Sequence, residues 1–316
     1  MFQTLIIRLS SMGDIIHNFP ALSDLARHRP DIAIDWVVEE SFAALPALHP
    51  AIRTVIPTAL RRWRKAPLKS KAEFIHFRRK LHHHQYDLII DSQGLIKSAF
   101  IAKQAIGPIS GYDKASAREG LASLAYQHKY AVPRNQHAIL RNRQLSAQVF
   151  NYKIDDTIDY GLNIPQLDLP WRPAQSYAVL LSATSRSDKE WAEDNWIALG
   201  TRLNAMGIRS VLPWGNVQEQ ERSLRLATAI PNAVCPPRMS LAEAASLLAS
   251  SQIVVGVDTG LAHLAAAAAV PVVAIFCASD PQLTGVLASS YAINLGHNGA
   301  PPSLESVWQA TLDGMK

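Results

Sequence analysis

Short apolar, β-branched runs alternate with longer stretches of helical period along almost the whole chain, and that alternation leaves few folds open. A strand buried on both faces reads as a continuous apolar run, and a helix must return the chain to a parallel neighbour, so the pattern specifies parallel sheets wrapped by helices. In the first half, 5–9, 32–38, 54–57 and 88–91 read as strands, with helices after Gly13 and over 72–83, 95–104 and 136–150. Residues 151–175 break the pattern; they are polar and carry Pro165, Pro170 and Pro173, the composition of an inter-domain crossing. The alternation then restarts, with strands over 178–182, 210–213, 253–257 and 272–276 and helices over 195–206, 218–229, 241–250 and 261–269. At 316 residues the chain is about two common domains long. The expected fold is α/β: two doubly wound Rossmann-like domains, 1–160 and 161–316, facing across a ligand cleft, with the terminal helix free to pack back on the first.

Ligands of open α/β sheets sit beyond the carboxyl ends of the strands, so chemistry is sought in the loops that follow them. The first is Ser10-Ser11-Met12-Gly13-Asp14. Asp14 is placed to take a proton from an acceptor hydroxyl as general base, or simply to cap the next helix, and spacing alone leaves both open. One glycine here and no multi-glycine spacing elsewhere exclude the dinucleotide fingerprint and the P-loop, removing the main support for a dehydrogenase or an NTPase. The second loop is Val257-Asp258-Thr259-Gly260-Leu261-Ala262-His263. Gly260 permits close backbone approach, and the free N–H groups with the helix dipole suit a diphosphate. Asp258 would hold sugar hydroxyls and His263 reach a phosphate; the alternative is a capped helix start with a core histidine. The third loop, 183–191, offers the hydroxyls of Thr184 and Ser185 and a cation, Lys189, to neutralise a leaving group, unless it is only a solvated charged loop.

Charge is uneven. Residues 1–150 hold 21 Lys and Arg against 11 Asp and Glu, a net +10, while the remainder holds 10 against 15, a net −5. This asymmetry points to the first half meeting an anionic partner, whether nucleic acid, acidic lipid or phosphorylated sugar. The densest run is Arg61-Arg62-Trp63-Arg64-Lys65, where arginine forks match carboxylates and phosphates and the tryptophan could stack on a sugar or lodge at a headgroup boundary; a merely solubilising loop is the equal alternative. Arg118, His137 and Arg141 could join it. A nucleic acid is disfavoured, since stacking aromatics are not interleaved and no nucleic-acid module is recognisable. His82, His83 and His84 are consecutive and cannot share a helix face as metal ligands would. The two cysteines, Cys235 and Cys277, read as buried free thiols. No run approaches the ~20 apolar residues needed to cross a bilayer, and the amino terminus lacks the basic start of a signal peptide, so a cytoplasmic protein is expected.

In their order, SSMGDIIH (10–17), DWVVEE (35–40), VIPTALRRWRK (55–65), DSQGLIKSA (91–99), SDKEW (187–191), LPWG (212–215) and VDTGLAH (257–263) resemble glycosyltransferase family nine, the heptosyltransferases of the lipopolysaccharide inner core, over nearly the whole chain. The resemblance implies a GT-B fold and transfer of L-glycero-D-manno-heptose from its ADP donor to the first Kdo of Kdo2-lipid A, with inversion. It implies Asp14 as base and a donor site of Thr184, Ser185, Lys189, Glu219, Met239, Asp258, Thr259, Gly260 and His263. Glu219 would meet the ribose and Met239 the adenine. Ser11, Arg61, Arg62, Arg64, Lys65, Arg118, His137 and Arg141 would face the acceptor. No metal or other cofactor is expected, because fixed donors and Lys189 can stabilise the departing ADP. The protein would sit peripherally on the cytoplasmic face of the inner membrane, drawn to its anionic surface. Two other readings use the same residues: a family member that takes the same donor to an already heptosylated acceptor, and a non-catalytic protein that binds acidic glycolipid. The RRWRK run and its flanks favour the first acceptor. The segment 277–285 keeps Asp280-Pro281 but is poorer in glycine than the family pattern, and Thr184-Ser185 stands for a pair of threonines.

Overall fold

The computed structural model describes residues 1–184, 186–288 and 290–316. The chain divides into two compact units, Met1–Asn163 and Ile164–Lys316. In the first, the elements run β1 (Phe2–Ile7), α1 (Met12–Ile16), α2 (Phe19–His28), β2 (Ile32–Glu39), β3 (Ile52–Thr58), α3 (Leu60–Lys65), α4 (Lys71–His82), β4 (Leu88–Asp91), α5 (Ile96–Ala102), β5 (Ile109–Tyr112), β6 (His128–Tyr130) and α6 (Ala138–Phe150). The strands form one parallel sheet in the order β3-β2-β1-β4-β5-β6. Ile7 aligns with Val37 and with Asp91, so the loops after β1 and β4 leave the sheet side by side. Alternation within each strand sorts the two faces. Leu5, Ile7 and Ile89 pack with Trp63, Phe77, Ile101 and Ala122 beneath α3, α4, α5 and a 3₁₀ helix, Gly120–Ala125. Ile6 and Ile90 face α2 and α6 on the other side.

The second unit runs β7 (Tyr177–Leu181), α7 (Glu193–Ala205), β8 (Arg209–Val211), α8 (Val217–Ala229), α9 (Leu241–Ala249), β9 (Ile253–Val257), α10 (Gly260–Ala267), β10 (Val272–Ile275), β11 (Ala292–Leu295) and α11 (Leu304–Gly314), its parallel sheet ordered β11-β10-β9-β7-β8. Trp191 and Trp196 meet edge to face, 5.2 Å apart, in a core with Leu199, Leu226, Val255 and Ile275. The terminal helix, which the sequence left free to return to the first domain, buries Val307 and Ala310 in this core.

Several features differ from the sequence reading for local reasons. β5, β6 and β11 were not foreseen: at three or four residues, with Ser110, Gly111, His128 and Lys129 among them, they carry no apolar run to read. The run at 61–65 is a helical turn, because Leu60 and Trp63, three apart, face the core. The polar segment 151–175 is largely anchored: Asn163 N–H donates to Leu48 O at 2.8 Å, Leu167 N–H to Ser246 Oγ at 2.8 Å, and Tyr160 and Leu169 are buried. Cys277 is buried but Cys235 is half-buried in a loop.

Candidate functional site

At the carboxyl end of the first sheet, β1 runs into Arg8, whose guanidinium is buried beneath the following loop. It donates to Ser92 O, to Asp14 O at 3.1 Å and to the Asp14 carboxylate at 3.4 Å. Asp14 is the third residue of α1, and its Oδ2 accepts from Ser11 N–H at 3.1 Å and Ser11 Oγ at 3.0 Å, a capping box. Arg118, from the loop after β5, forks onto the same carboxylate, 3.2 Å to Oδ2 with a second bond to Oδ1. Burial alone would push the Asp14 carboxyl up, but the two guanidiniums and the Ser11 bonds outweigh it and hold the group well below the usual carboxylate range. Asp14 therefore caps its helix and is also a fixed anion at a strand end, already accepting an O–H.

The DSQG segment after β4 holds this loop in place. Gln93 accepts from Leu9 N–H at 2.9 Å and donates to Ser10 O at 3.0 Å. Asp91 takes Gln93 N–H, Gly94 N–H, Ser98 Oγ and Tyr126 OH, the last at 2.7 Å. Lys97, at the start of α5, donates to Ser10 Oγ at 3.2 Å; burial and the nearby Arg61 charge lower its pKa. Arg8, Gln93 and Lys97 carry no role in the sequence reading; the signals for them are the place of Arg8 just after β1 and the DSQGLIKSA segment that holds Gln93 and Lys97.

The cations of α3 separate. Arg62 is committed to Glu40 at 3.2 Å and Glu73 at 2.9 Å. Arg61 lies over the Phe42 ring at 5.6 Å, and its N–H donates to Glu39 Oε1 at 3.0 Å, while Arg64 and Lys65 are exposed. Trp63 cannot stack on a sugar or enter a headgroup layer: it is 8% exposed, packs against Phe74 and Phe77, and donates to Glu73 at 2.9 Å. Arg141 is spent on Pro133 O at 3.1 Å and Ser116 O at 2.6 Å and lies over the Tyr112 ring, bracing the loop that carries Arg118. His137 caps α6, its Nδ1 accepting from Ile139 N–H at 3.3 Å, and meets the His17 ring edge-on at 5.6 Å.

In the second unit the loops after β7, β9 and β10 meet on Asp258. Its Oδ2 accepts from Lys189 Nζ at 2.6 Å and Ser279 Oγ at 2.8 Å, and its carbonyl from Thr184 Oγ1 at 3.3 Å. Thr259 is the N-cap of α10 and Gly260 its first residue, leaving first-turn N–H groups beside the Lys189 cation; His263 is buried one turn on. Ser185 lies outside the described residues. Thr184 and Glu219 line one hollow of about 440 Å³ with Glu190, Asn216, Arg222 and Arg225. Glu219 Oε2 accepts from Gly215 N–H at 2.7 Å and its Oε1 from Asn216 Nδ2 at 2.8 Å, which aims the carboxylate across the LPWG turn. Met239 is half-buried before α9 and outside that hollow. Arg222, missed from sequence, donates to Ser182 O at 3.2 Å and Trp191 O at 2.7 Å and so fixes both ends of the 183–191 loop. Among the described residues no group of three His, Cys, Asp or Glu is placed to hold a metal ion.

Over residues 74–311 the chain matches the model of glycosyltransferase family 9 (heptosyltransferase). It is 44% identical over 299 residues to lipopolysaccharide heptosyltransferase 1 of Pseudomonas aeruginosa PAO1, covering 93% of this chain and 83% of that relative. Among solved structures it resembles Escherichia coli heptosyltransferase WaaC with ADP at a TM-score of 0.91 and 40% identity, over 99% of this chain and 100% of that one. The same enzyme with ADP-2-deoxy-2-fluoro heptose gives a TM-score of 0.87 at 39% identity over 99% of each chain.

Proposed function

Because the chain belongs to glycosyltransferase family 9, the heptosyltransferases, we propose that it adds heptose to the first Kdo of Kdo2-lipid A, with Asp14 as base and with inversion at the anomeric carbon. Its activity is the transfer of heptose from ADP-heptose in lipopolysaccharide core synthesis, on a GT-B α/β fold. The observation that carries the proposed chemistry is the Asp14 carboxylate, held ionised at the end of β1 by Arg8 and Arg118 while accepting a hydroxyl hydrogen.

The acceptor hydroxyl attacks the anomeric carbon opposite ADP, and its proton passes to Asp14. The anomeric C–O bond breaks with its electron pair leaving on the ADP β-phosphate. The sugar carries oxocarbenium character meanwhile, as in glycoside hydrolysis. A carboxylate held at low pKa is a weak base, which suits a hydroxyl that becomes acidic only as its bond to the sugar forms. Lys189 and the first turn of α10 neutralise the departing phosphate, with Thr184 and Ser185 adding hydroxyls. Asp258, on which Lys189 and Ser279 converge, meets the heptose; Glu219 meets the ribose and Met239 the adenine. Arg61, Arg64, Lys65 and Arg118 face the Kdo carboxylates and lipid A phosphates, while Arg62 and Arg141 act through the elements they brace. Contact with the membrane is peripheral, on its cytoplasmic face; no helix among the described residues is long and apolar enough to cross it.

Incubation with ADP-L-glycero-D-manno-heptose and Kdo2-lipid A, read by mass spectrometry, tests this. The wild type is expected to add one heptose, and Asp14→Asn, which keeps a capping oxygen, to lose about 10²- to 10⁴-fold in rate. Folded Asp14→Asn turning over near the wild-type rate removes the base assignment. Product only on an already heptosylated acceptor moves the acceptor.

A further inference from the structure

The family reaction does not explain why, Met1 and Ile106 apart, the first unit shows its large exposed apolar side chains on one layer. Leu68, Ile75, Ile96, Phe100, Leu121 and Leu124 are all exposed on α4, α5, the 3₁₀ helix Gly120–Ala125 and the loop before α4. On α2 and α6, which cover the opposite face of the sheet, no large apolar side chain is exposed among the described residues. The outer stripe of α5 is Ile96, Phe100 and Lys103, at the spacing where a solvated helix carries polar residues. Leu121 and Leu124, three apart on a 3₁₀ helix, stand one above the other, 64% and 75% exposed. These pieces adjoin: Ile96 N–H donates to Glu119 Oε2 at 2.6 Å, and the Phe100 ring stacks on Phe74 of α4 at 6.0 Å. The same layer is cationic. Residues 60–104 hold eleven Lys and Arg against three Asp and Glu, and Lys69 and Lys103 are exposed among them beside the acceptor-facing Arg64 and Lys65.

We propose that this layer docks on a bilayer of anionic phospholipid, with Ile96, Phe100, Leu121 and Leu124 entering the headgroup boundary and the surrounding cations meeting lipid phosphates. The inference rests on the lipid-borne acceptor of the proposed function and deepens it. Apolar side chains ringed by Lys and Arg have the composition of interfacial membrane segments. Charge alone would hold the chain loosely and yield to salt, whereas buried apolar area adds a component that salt does not screen. Position agrees: Leu121 lies three residues after Arg118, so docking by this helix brings the Arg118 loop and Asp14 to the surface from which the acceptor's sugars project.

The full chain is sedimented with vesicles of phosphatidylethanolamine and phosphatidylglycerol and, in parallel, of phosphatidylcholine. The paired change Leu121→Ser/Leu124→Ser alters only exposed positions; Ile96→Ser/Phe100→Ser is the second variant should the first lose its fold. The wild type is expected to prefer anionic vesicles and keep part of its binding in high salt. The variant should bind about tenfold or more weakly and release fully in salt. Its transfer to detergent-dispersed Kdo2-lipid A should stay within about twofold of wild type while transfer to vesicle-borne acceptor falls. Wild-type binding and salt response in both variants overturn the proposal. So does a wild type that sediments alone as a dimer which the variant dissociates, because the patch is then an interface between copies. A wild type that transfers no heptose in detergent defeats the functional reading, whatever the vesicles show.

Discussion

At the scale of the residue, Asp14 shows how a single carboxylate acquires its character from partners distant in sequence. Arg8 and Arg118 lower its pKa against the opposing effect of burial, so the acid limb of kcat/KM is not expected to come from Asp14 in the range where the protein is folded. Arg118→Gln removes one of the two cations and should raise the Asp14 pKa, moving an acid limb upward into view; a pH–rate profile unchanged in shape would show that Arg118 does not tune the base. His49 makes a second prediction with a definite sign. It is buried, its Nδ1 accepts from Ala51 N–H at 3.2 Å, and its Nε2 therefore donates to Ser23 Oγ at 3.1 Å, an arrangement that needs the neutral ring. Burial lowers its pKa from 6.5 to about 4. The unfolded chain binds this proton before the native one does, so the stabilising contribution is complete above pH 6.5 and is lost as pH falls toward 4, by up to about 3 kcal/mol. Urea unfolding between pH 7.5 and 4.5 should show this loss in the wild type and a flatter dependence in His49→Gln.

At the scale of the element, close packing beneath the loops matters as much as the loops themselves. A Cβ at Gly111 of β5 would meet the Tyr126 ring at 2.5 Å, and Tyr126 is the residue that holds Asp91. Gly111→Ala should therefore cost about 1–3 kcal/mol and loosen the DSQG turn that supports Ser10 and Leu9. A lower melting temperature and raised KM for the acceptor are expected, and wild-type values for both would show that the ring yields without consequence. Legibility also differs by element. β1, β2, β7, β9 and β10 were readable because buried parallel strands are continuous apolar runs. β5, β6 and β11 were not, because Ser110 and Gly111, His128 and Lys129, and Asn294 interrupt any apolar run there. The RRWRK run read as an acceptor-facing or solubilising cationic stretch with a free tryptophan, because charge density hides one apolar pair three residues apart, Leu60 and Trp63.

At the scale of the whole molecule, the proposed division of labour assigns the donor to the second unit. Hydrogen exchange with ADP should slow amides in 183–191, 215–222 and 258–264, since binding stabilises what it contacts, by about 2.7 kcal/mol at a hundredfold excess over Kd. Protection confined to the loops of the first unit instead would reverse the assignment. The +10 of residues 1–150 and the −5 of the remainder were plain from the sequence, as were the two doubly wound units and the loops after strands in which Asp14, Lys189 and Asp258 lie. Those features depend on local periods of two and 3.6 residues and on composition, which a linear string carries in full. What the tertiary structure decided is which charges meet. Arg118 reaches Asp14 across 104 residues and Lys189 reaches Asp258 across 69, while Arg62 and Arg141 are consumed by bracing contacts. Ion pairing falls off with distance in space, and neighbours in space are set by strand order and register, which no local pattern of residues encodes.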